Sequence, residues 1–387
     1  MNADELMAYC ERLYADMSLG TVKAWKEAHP GKPAVGHLPV YAPREIVHAC
    51  GGMPVALAGA ADHVEIVKGD ACFQSYICHI PRSTVELGLT GELALLDGML
   101  FPSTCDVIRN LSGIWQLLFP KVMVKFIDLP QNLDPRIGGG FYEGDLRELA
   151  AELEAIGGQE LTDERLEESL RAFDANRRAI ADLYQLRATS PWKVPADECF
   201  LITRAGFVLD VDEHTQLVRD FIREAGKRTT RAEDRIRVVV VGAFCEQPPV
   251  ALLRTIERAG CYIVDDDLNL GSRWIEGDLA GSKYPLKSLA QAYCTRSVWA
   301  STRYQGAEER APQLVERVRT RKADGVVFAA PSFCDPALLD QPPLQKALTE
   351  ASVPFIAFKY AENTGQFQGI REQTGTFSDS LKLWGAA

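Results

Sequence analysis

Cysteine is the residue type with the greatest capacity for chemistry in this 387-residue sequence, which contains ten of them. A cytosolic chain of this size keeps its thiols reduced, so the count does not predict disulfides. Many of the ten are expected to fill cores, because a reduced cysteine packs as a small apolar side chain. No C-x-x-C pair occurs, which excludes zinc ribbons, thioredoxin-type sites and ferredoxin-type cluster runs. Cysteines that bind a metal here must therefore converge from distant segments.

Three cysteines directly follow predicted strands. They are Cys105, Cys245 and Cys334, after the strands predicted at 99–101, 238–241 and 325–330. Ligands of open parallel sheets collect outside the carboxyl ends of the strands. Cysteines that only fill a core should instead lie inside strands and helices. The placement therefore indicates a binding site, and ordinary loop cysteines are the alternative.

Other polar residues carry weaker signals. Among the six histidines, His79 stands beside Cys78, although a surface or core role is more typical of such a residue. The run Asp265–Asp267 could bind a hard cation, with a solvated turn at a strand end as the more common alternative. Arg273, shortly after it, could contact a phosphate. The sequence has no G-x-x-x-x-G-K-[ST] loop, no G-x-G-x-x-G opening a helix, and no H-E-x-x-H or G-x-S-x-G motif.

The elements that must position these residues alternate as in parallel sheets. Short apolar runs bounded by turns predict strands at 54–57, within 93–101, and at 121–129, 238–241, 261–264, 325–330 and 354–358. Between the two groups, from Gly144 to about Arg187, apolar residues recur with a helical period, and Thr162 is a predicted N-cap. Helices should continue to about Lys227, including one at 207–222. The stretch from His29 to Val40, rich in Gly, Pro and Ala, is predicted to be a loop.

We therefore predict an α/β protein with two Rossmann- or flavodoxin-like parallel-sheet domains. The predicted limits are an N-terminal helical arm at 1–40, a first α/β domain at 41–144, a helical section at 145–230 and a second α/β domain at 231–387.

Composition excludes several classes of function. The 42 basic residues face 53 acidic ones, and a net charge of −11 argues against a nucleic-acid or anionic-membrane surface. No apolar run approaches the roughly 18 residues that a membrane helix needs. The first residues, MNADELMAYC, carry acids where a secretory signal would carry bases. We therefore expect a cytoplasmic protein.

Several short segments jointly resemble a known family. They are Cys78–Ser83, Ser103–Asp106, Asp265–Leu268 with Gly271–Arg273, and Phe333–Pro336. In order and approximate spacing, from about residue 40 to residue 380, they resemble the (R)-2-hydroxyacyl-CoA dehydratase and benzoyl-CoA reductase family. Within it, the sequence is most similar to the gamma-subunit type of the ATP-dependent (class I) benzoyl-CoA reductases. The segments that carry this finer likeness are 73–76, 82–88 and 105–111.

The resemblance implies a [4Fe–4S] cluster held by three cysteine thiolates. Carried onto this sequence, the ligands are Cys78, Cys105 and Cys334. Cys78 is favoured because the C-x-x-x-[KR]-S pattern begins there, and nearby Cys72 is the alternative. Cys245 is a further candidate ligand, and the nature of a fourth ligand stays open.

The reaction that the resemblance implies is the dearomatising reduction of benzoyl-CoA to a cyclohexadiene-carboxyl-CoA, in anaerobic degradation of aromatic compounds. The implied partners are a homologous beta-type cluster subunit, two ATP-hydrolysing activator-type subunits and ferredoxin as the upstream donor. In the dehydratase branch of the family, one electron instead forms a ketyl radical that expels water. The surroundings of Cys78 and Cys105 favour the reductase. The sequence does not decide whether this chain contacts the acyl-CoA or only relays electrons, and it assigns no catalytic residue.

Two alternatives belong to other classes. One is an iron-free α/β protein that binds a nucleotide or sugar, in which the cysteines at strand ends are incidental. The other is a zinc enzyme that uses Cys105, Cys334 and His79 as ligands. Acid-labile sulfide would be absent in the zinc enzyme.

Overall fold

Two four-stranded parallel sheets organise the chain in the computed structural model. The structure describes residues 1–60, 63–74, 76–243, 248–303, 307–361 and 367–384, without the side chains of 307–309 and 384. The two sheets confirm the predicted fold class. The predicted domain limits stay a prediction.

The first sheet lies in the N-terminal half of the chain. Its strands are β1 (Ala34–His37), β2 (Met53–Ala56), β3 (Gly98–Pro102) and β4 (Met123–Ile127). Their order is β2-β1-β3-β4 and all neighbours are parallel. β3 is fully buried, as expected of a strand covered on both faces.

The second sheet repeats this order. Its strands are β5 (Ile236–Val241), β6 (Cys261–Asp266), β7 (Gly325–Pro331) and β8 (Phe355–Tyr360), in the order β6-β5-β7-β8. In each sheet the first strand therefore lies between the second and the third. Such a reversal of strand order opens a crevice at the carboxyl ends, where α/β proteins bind ligands.

Helices cover and connect the two sheets. In the described part of the chain they are α1 (Ala3–Ala15), α2 (Gly20–Ala28), α3 (Arg44–Ala49), α4 (His79–Thr90), α5 (Asp106–Leu118), α6 (Gly138–Ala155), α7 (Asp163–Thr189), α8 (Ala196–Ala205), α9 (Val211–Gly226), α10 (Val250–Arg258), α11 (Pro285–Arg296), α12 (Ala307–Thr320), α13 (Asp335–Glu350) and α14 (Gln368–Trp384). Two short 3₁₀ segments occupy Gly69–Cys72 and Leu270–Ser272. None of the helices in the described ranges has the length and apolarity that crossing a membrane requires.

Two local expectations were wrong. The stretch from His29 to Val40 is not only a loop, because it contains β1, whose four residues are all buried inside the first sheet. Strand pairing on both sides of β1 outweighs the loop-like composition of its flanks.

The helix expected at 207–222 begins at Val211, because the Asp210 side chain caps it by accepting the N–H of Asp212. The predicted N-cap Thr162 is confirmed by the hydrogen bond that it accepts from the N–H of Arg165.

Each of the two cores includes side chains from a helix in the other half of the chain. α11 follows the first two strands of the second sheet in sequence, yet it packs on α6 and adds Leu289 and Tyr293 to the core of the first sheet. α1 packs on α8 and adds Leu6 to the core of the second sheet. The first core also contains Ala330 and Cys334, which come from the end of β7 and the residues after it. The carboxyl end of the second sheet therefore contacts the first core.

Candidate metal centre

Cys105 and Cys334 occupy equivalent places in the two sheets. Each lies three residues after the last residue of the third strand, in the segments Pro-Ser-Thr-Cys-Asp and Pro-Ser-Phe-Cys-Asp. Each is also the N-cap residue of the next helix, α5 or α13. The P-S-x-C-D repeat is a signal that the sequence analysis missed. It consists of four matching residues in five at the ends of two predicted strands.

The serine of each repeat attaches its loop to the neighbouring fourth strand. The N–H of Ser103 donates to the Ile127 carbonyl at 2.9 Å, and its Oγ accepts the N–H of Leu129 at 2.8 Å. The N–H of Ser332 donates to the Tyr360 carbonyl at 2.9 Å, and its Oγ donates to the same oxygen at 3.0 Å. Both cysteine loops are therefore held by hydrogen bonds to backbone at the adjacent strand, which restricts their motion.

The two thiols lie close enough to interact electrostatically. Burial raises the pKa of the Cys105 thiol, and the negative charge of a Cys334 thiolate raises it further. The backbone N–H groups of Val107 and Ile108, at the start of α5, lower the same pKa. Cys334 is buried at 3% exposure, and both cysteines pack against the first core. The fold thus brings these two thiols near each other from distant segments of the chain.

Cys78 and Cys72 come from the segment around the start of α4. Cys78 is the N-cap residue of α4 and is buried, whereas Cys72 ends the 3₁₀ segment before it and is half-buried. Cys72 also packs against the first core. Cys78 thus shares with Cys105 and Cys334 the position at a helix N-terminus, where backbone N–H groups favour a negative charge.

The donor set fits an iron–sulfur cluster in its chemistry, because sulfur donors suit such a cluster. Of the predicted ligands, Cys105 and Cys334 lie close enough to interact electrostatically. Among the described residues, no three His, Cys, Asp or Glu side chains come close enough together to hold a metal ion. The third donor is therefore not brought to the pair in this structure, whether it is Cys78, Cys72 or His79. Cys245 lies outside the described residues.

The remaining described cysteines are buried in the protein. Burial raises the pKa of Cys10 and Cys199 to about 12 and that of Cys50 to about 11, so their thiols stay protonated at neutral pH. Cys261 and Cys294 are buried as well. No disulfide joins any of the nine described cysteines.

The acidic run Asp265–Asp267 is neither a cation site nor a solvated turn, because the protein supplies its own cations. Asp265 is buried and binds Arg317 at 2.9 Å and Arg321 at 2.7 Å. Arginine beside a carboxylate favours its charged form, and the pKa of Asp265 lies well below its ordinary value although burial acts to raise it. Asp267 is half-buried, and its carboxylate accepts the N–H of Gly242 at 2.6 Å.

Arg273 is committed to the same network. Its Nη2 donates to the carbonyls of Asp266 and Leu268 at 2.6 and 3.2 Å, and it lies 3.3 Å from the Asp266 carboxylate. The expectation of a phosphate contact is therefore not supported by its geometry. An open cavity of about 500 Å³ adjoins this network and is lined by five acidic and four basic side chains, so opposite charges nearly cancel around it.

The fold and the two cysteines define a class of protein: two parallel α/β sheets of the same strand order, each with one cysteine three residues after its third strand. A family model described as 2-hydroxyglutaryl-CoA dehydratase, D-component, matches residues 39–381. The chain belongs to this family.

Three enzyme subunits are similar to this chain over most of their length. The C subunit of the benzoyl-CoA reductase of Thauera aromatica is 47% identical over 385 residues, covering 99% of this chain and 100% of the relative. The (R)-phenyllactyl-CoA dehydratase beta subunit of Clostridium sporogenes is 28% identical over 91% of this chain and 92% of its own length. The beta subunit of the lactoyl-CoA dehydratase of Anaerotignum propionicum is 28% identical over 92% of this chain and 93% of its own length. All three relatives are enzyme subunits, and this chain is an enzyme subunit of the same family.

Proposed function

We propose that this chain is the iron–sulfur subunit of an ATP-dependent benzoyl-CoA reductase. The observation that carries the proposal is the pair Cys105 and Cys334, two interacting thiols placed by equivalent loops of two domains. The full-length match to a benzoyl-CoA reductase subunit, at 47% identity, supports the reductase over the dehydratases at 28%. The proposed reaction is the dearomatising reduction of benzoyl-CoA.

In this proposal Cys78, Cys105 and Cys334 hold a [4Fe–4S] cluster. When bound, the cluster supplies single electrons at low potential. Burial around Cys334 disfavours added negative charge and so lowers the potential, whereas the N–H groups of Val107 and Ile108 near Cys105 raise it. The balance of these two effects sets how strong a reductant the site is.

The proposed assembly includes a homologous beta-type cluster subunit, two ATP-hydrolysing subunits and ferredoxin as the donor. This division of labour agrees with the lack of a P-loop in the sequence. The names of the relatives support a multi-subunit enzyme, since each relative is named as one subunit of an enzyme. The acyl-CoA is proposed to bind at or near the pair of homologous subunits.

Anaerobic purification with analysis of iron and acid-labile sulfide tests the cluster. We expect a brown protein with a broad absorbance band near about 400 nm. Cys105→Ser and Cys334→Ser should lose iron and sulfide while keeping the far-ultraviolet circular dichroism of the wild type. Cys294→Ser, another buried cysteine of the same core, is the matched control and should keep its iron. A colourless wild type without sulfide would sink the proposal.

The third ligand needs a comparison of its own. Cys78→Ser should lose the cluster, and Cys72→Ser should keep it. The opposite pattern would move the assignment to Cys72. Zinc in place of iron, with sulfide absent, would instead favour a zinc site.

The choice between branches is tested with the partner subunits present. The complex should consume benzoyl-CoA and ATP with a low-potential donor, and an (R)-2-hydroxyacyl-CoA should not be dehydrated. Dehydration without reduction of benzoyl-CoA would assign the chain to the dehydratase branch.

A further inference from the structure

The segment that carries Cys72 is attached to α4, whose N-cap is Cys78, by one buried carboxylate. Oε2 of Glu86 accepts the backbone N–H groups of Val67, Lys68 and Gly69 at 2.9, 2.6 and 2.8 Å. Glu86 is only 4% exposed. Three N–H groups converging on one oxygen form a strong, charge-assisted contact, since the acceptor is ionised.

Two neighbours on α4 extend this attachment. Ser83, one helical turn before Glu86, is fully buried and accepts the N–H of Ala60 at 3.1 Å. Nε of Arg82 lies 2.6 Å from the Asp70 carboxylate. Residues three apart on a helix share a face, so Ser83 and Glu86 hold two points of the same loop. We call the side chains of Arg82, Ser83 and Glu86 the α4 clamp.

At Gly69 the loop approaches α4 too closely for a side chain. A Cβ at this residue would lie 2.1 Å from the Arg82 carbonyl oxygen, closer than any real side chain comes. The backbone of the loop therefore lies directly on the backbone of α4. From Gly69 the chain reaches Cys72 within one 3₁₀ segment and then returns to Cys78 at the start of α4.

We propose that Glu86 is a positioning residue for the proposed cluster site, because it holds against α4 the loop that runs through Cys72 into Cys78. This inference rests on the proposed function, since it concerns the third cysteine ligand. It also gives a physical reason for the sequence after Cys78, where Arg82, Ser83 and Glu86 each bind the loop rather than iron. Without the clamp, the loop bearing Cys72 would lose these hydrogen bonds to α4.

Hydrogen exchange on the full-length, iron-free chain tests the clamp directly. In Glu86→Gln the acceptor keeps its shape but loses its charge, so the amides of 67–69 should exchange about tenfold faster, the loss expected for weakened charge-assisted hydrogen bonds. Glu65→Gln removes the same charge from an exposed residue of the same loop and is the matched control. Unchanged exchange in Glu86→Gln would overturn the clamp.

The positioning role needs a readout from the loaded protein. Glu86→Gln should lose iron to a chelator several-fold faster than the wild type and show an altered electron paramagnetic resonance spectrum of the reduced cluster, while Glu65→Gln matches the wild type. Faster exchange with unchanged iron loss and an unchanged spectrum would overturn the positioning role and leave Glu86 as a structural residue. A wild type that binds no iron would overturn the proposed function and this role with it, whereas an iron-loaded wild type with an unaltered variant overturns the role alone.

Discussion

Replacing Asp266 by asparagine removes one charge from the buried ion pair that joins α7 to the second sheet. Nη1 of Arg187 lies 2.6 Å from Oδ2 of Asp266, at an angle outside that of a hydrogen bond, and Arg187 is fully buried. Oδ1 of Asp266 accepts the Tyr184 hydroxyl at 3.0 Å and the N–H of Leu268 at 2.9 Å. Asparagine can keep both of these bonds through its own Oδ1. At the position of Oδ2 it places an NH2 group, so the variant replaces the charged acceptor that faces Arg187 by a donor.

The expected loss follows from the burial of the partner. Two unit charges at 2.6 Å attract by about 6 kcal/mol at an effective dielectric constant near 20. Removing one member of a buried pair destabilises proteins by about 3–5 kcal/mol, because the other charge stays buried without compensation. Arg273, 3.3 Å from the same carboxylate, loses part of its compensation as well. We expect Asp266→Asn to lower the free energy of unfolding by about 3–5 kcal/mol.

Urea unfolding followed by circular dichroism measures this loss. Asp278→Asn is the matched control, because it breaks an ion pair with Arg178 in which the side chains are half exposed, and it should cost at most about 1 kcal/mol. A loss below about 1 kcal/mol in Asp266→Asn would refute the reasoning. So would stabilisation of the wild type, but not of the variant, by Mg²⁺ or Ca²⁺, since that result would restore the acidic run as a cation site.

Three further predictions concern single residues. Burial raises the pKa of Glu257 to about 7, above that of a glutamate in the unfolded chain, so the free energy of unfolding should fall as pH rises through this range. In Glu257→Gln the fall between pH 5 and pH 8, measured by urea unfolding, should be smaller by up to about 3 kcal/mol. An equal fall in the variant and the wild type would contradict the burial argument. Gly69→Ala should speed hydrogen exchange at 67–69, because its Cβ would clash with the Arg82 carbonyl, and unchanged exchange would show that the loop can shift. Ser103→Ala should cost about 1 kcal/mol in thermal or urea unfolding by removing the acceptor of the Leu129 N–H, and a neutral result would show that water replaces it.

The strands were the part of the fold most visible in the sequence. β7 and the part of β5 from Val238 to Val241 are continuous apolar runs, because both faces of a central parallel strand are covered, and such runs stand out from their surroundings. β1 was missed because four residues flanked by proline and glycine carry little local signal, and pairing with two neighbours decides their state. The sequence also does not show that α1 packs in the second core and α11 in the first, since an apolar helix face is compatible with either core.

The candidate site, like the fold, could be predicted from the sequence only in part. That Cys105 and Cys334 follow strands, and so belong at the edge of a sheet, was decided by the sequence itself through the order of apolar run, turn and cysteine. That the two thiols lie near each other was decided only by the tertiary structure, because their separation depends on how two domains pack. The charges of Asp265 and Asp266 were equally visible in the sequence, but their arginine partners come from α7 and α12 and from the loop that contains Arg273. Residue type determines which interactions a side chain can make, and the fold determines which neighbours are close enough to make them.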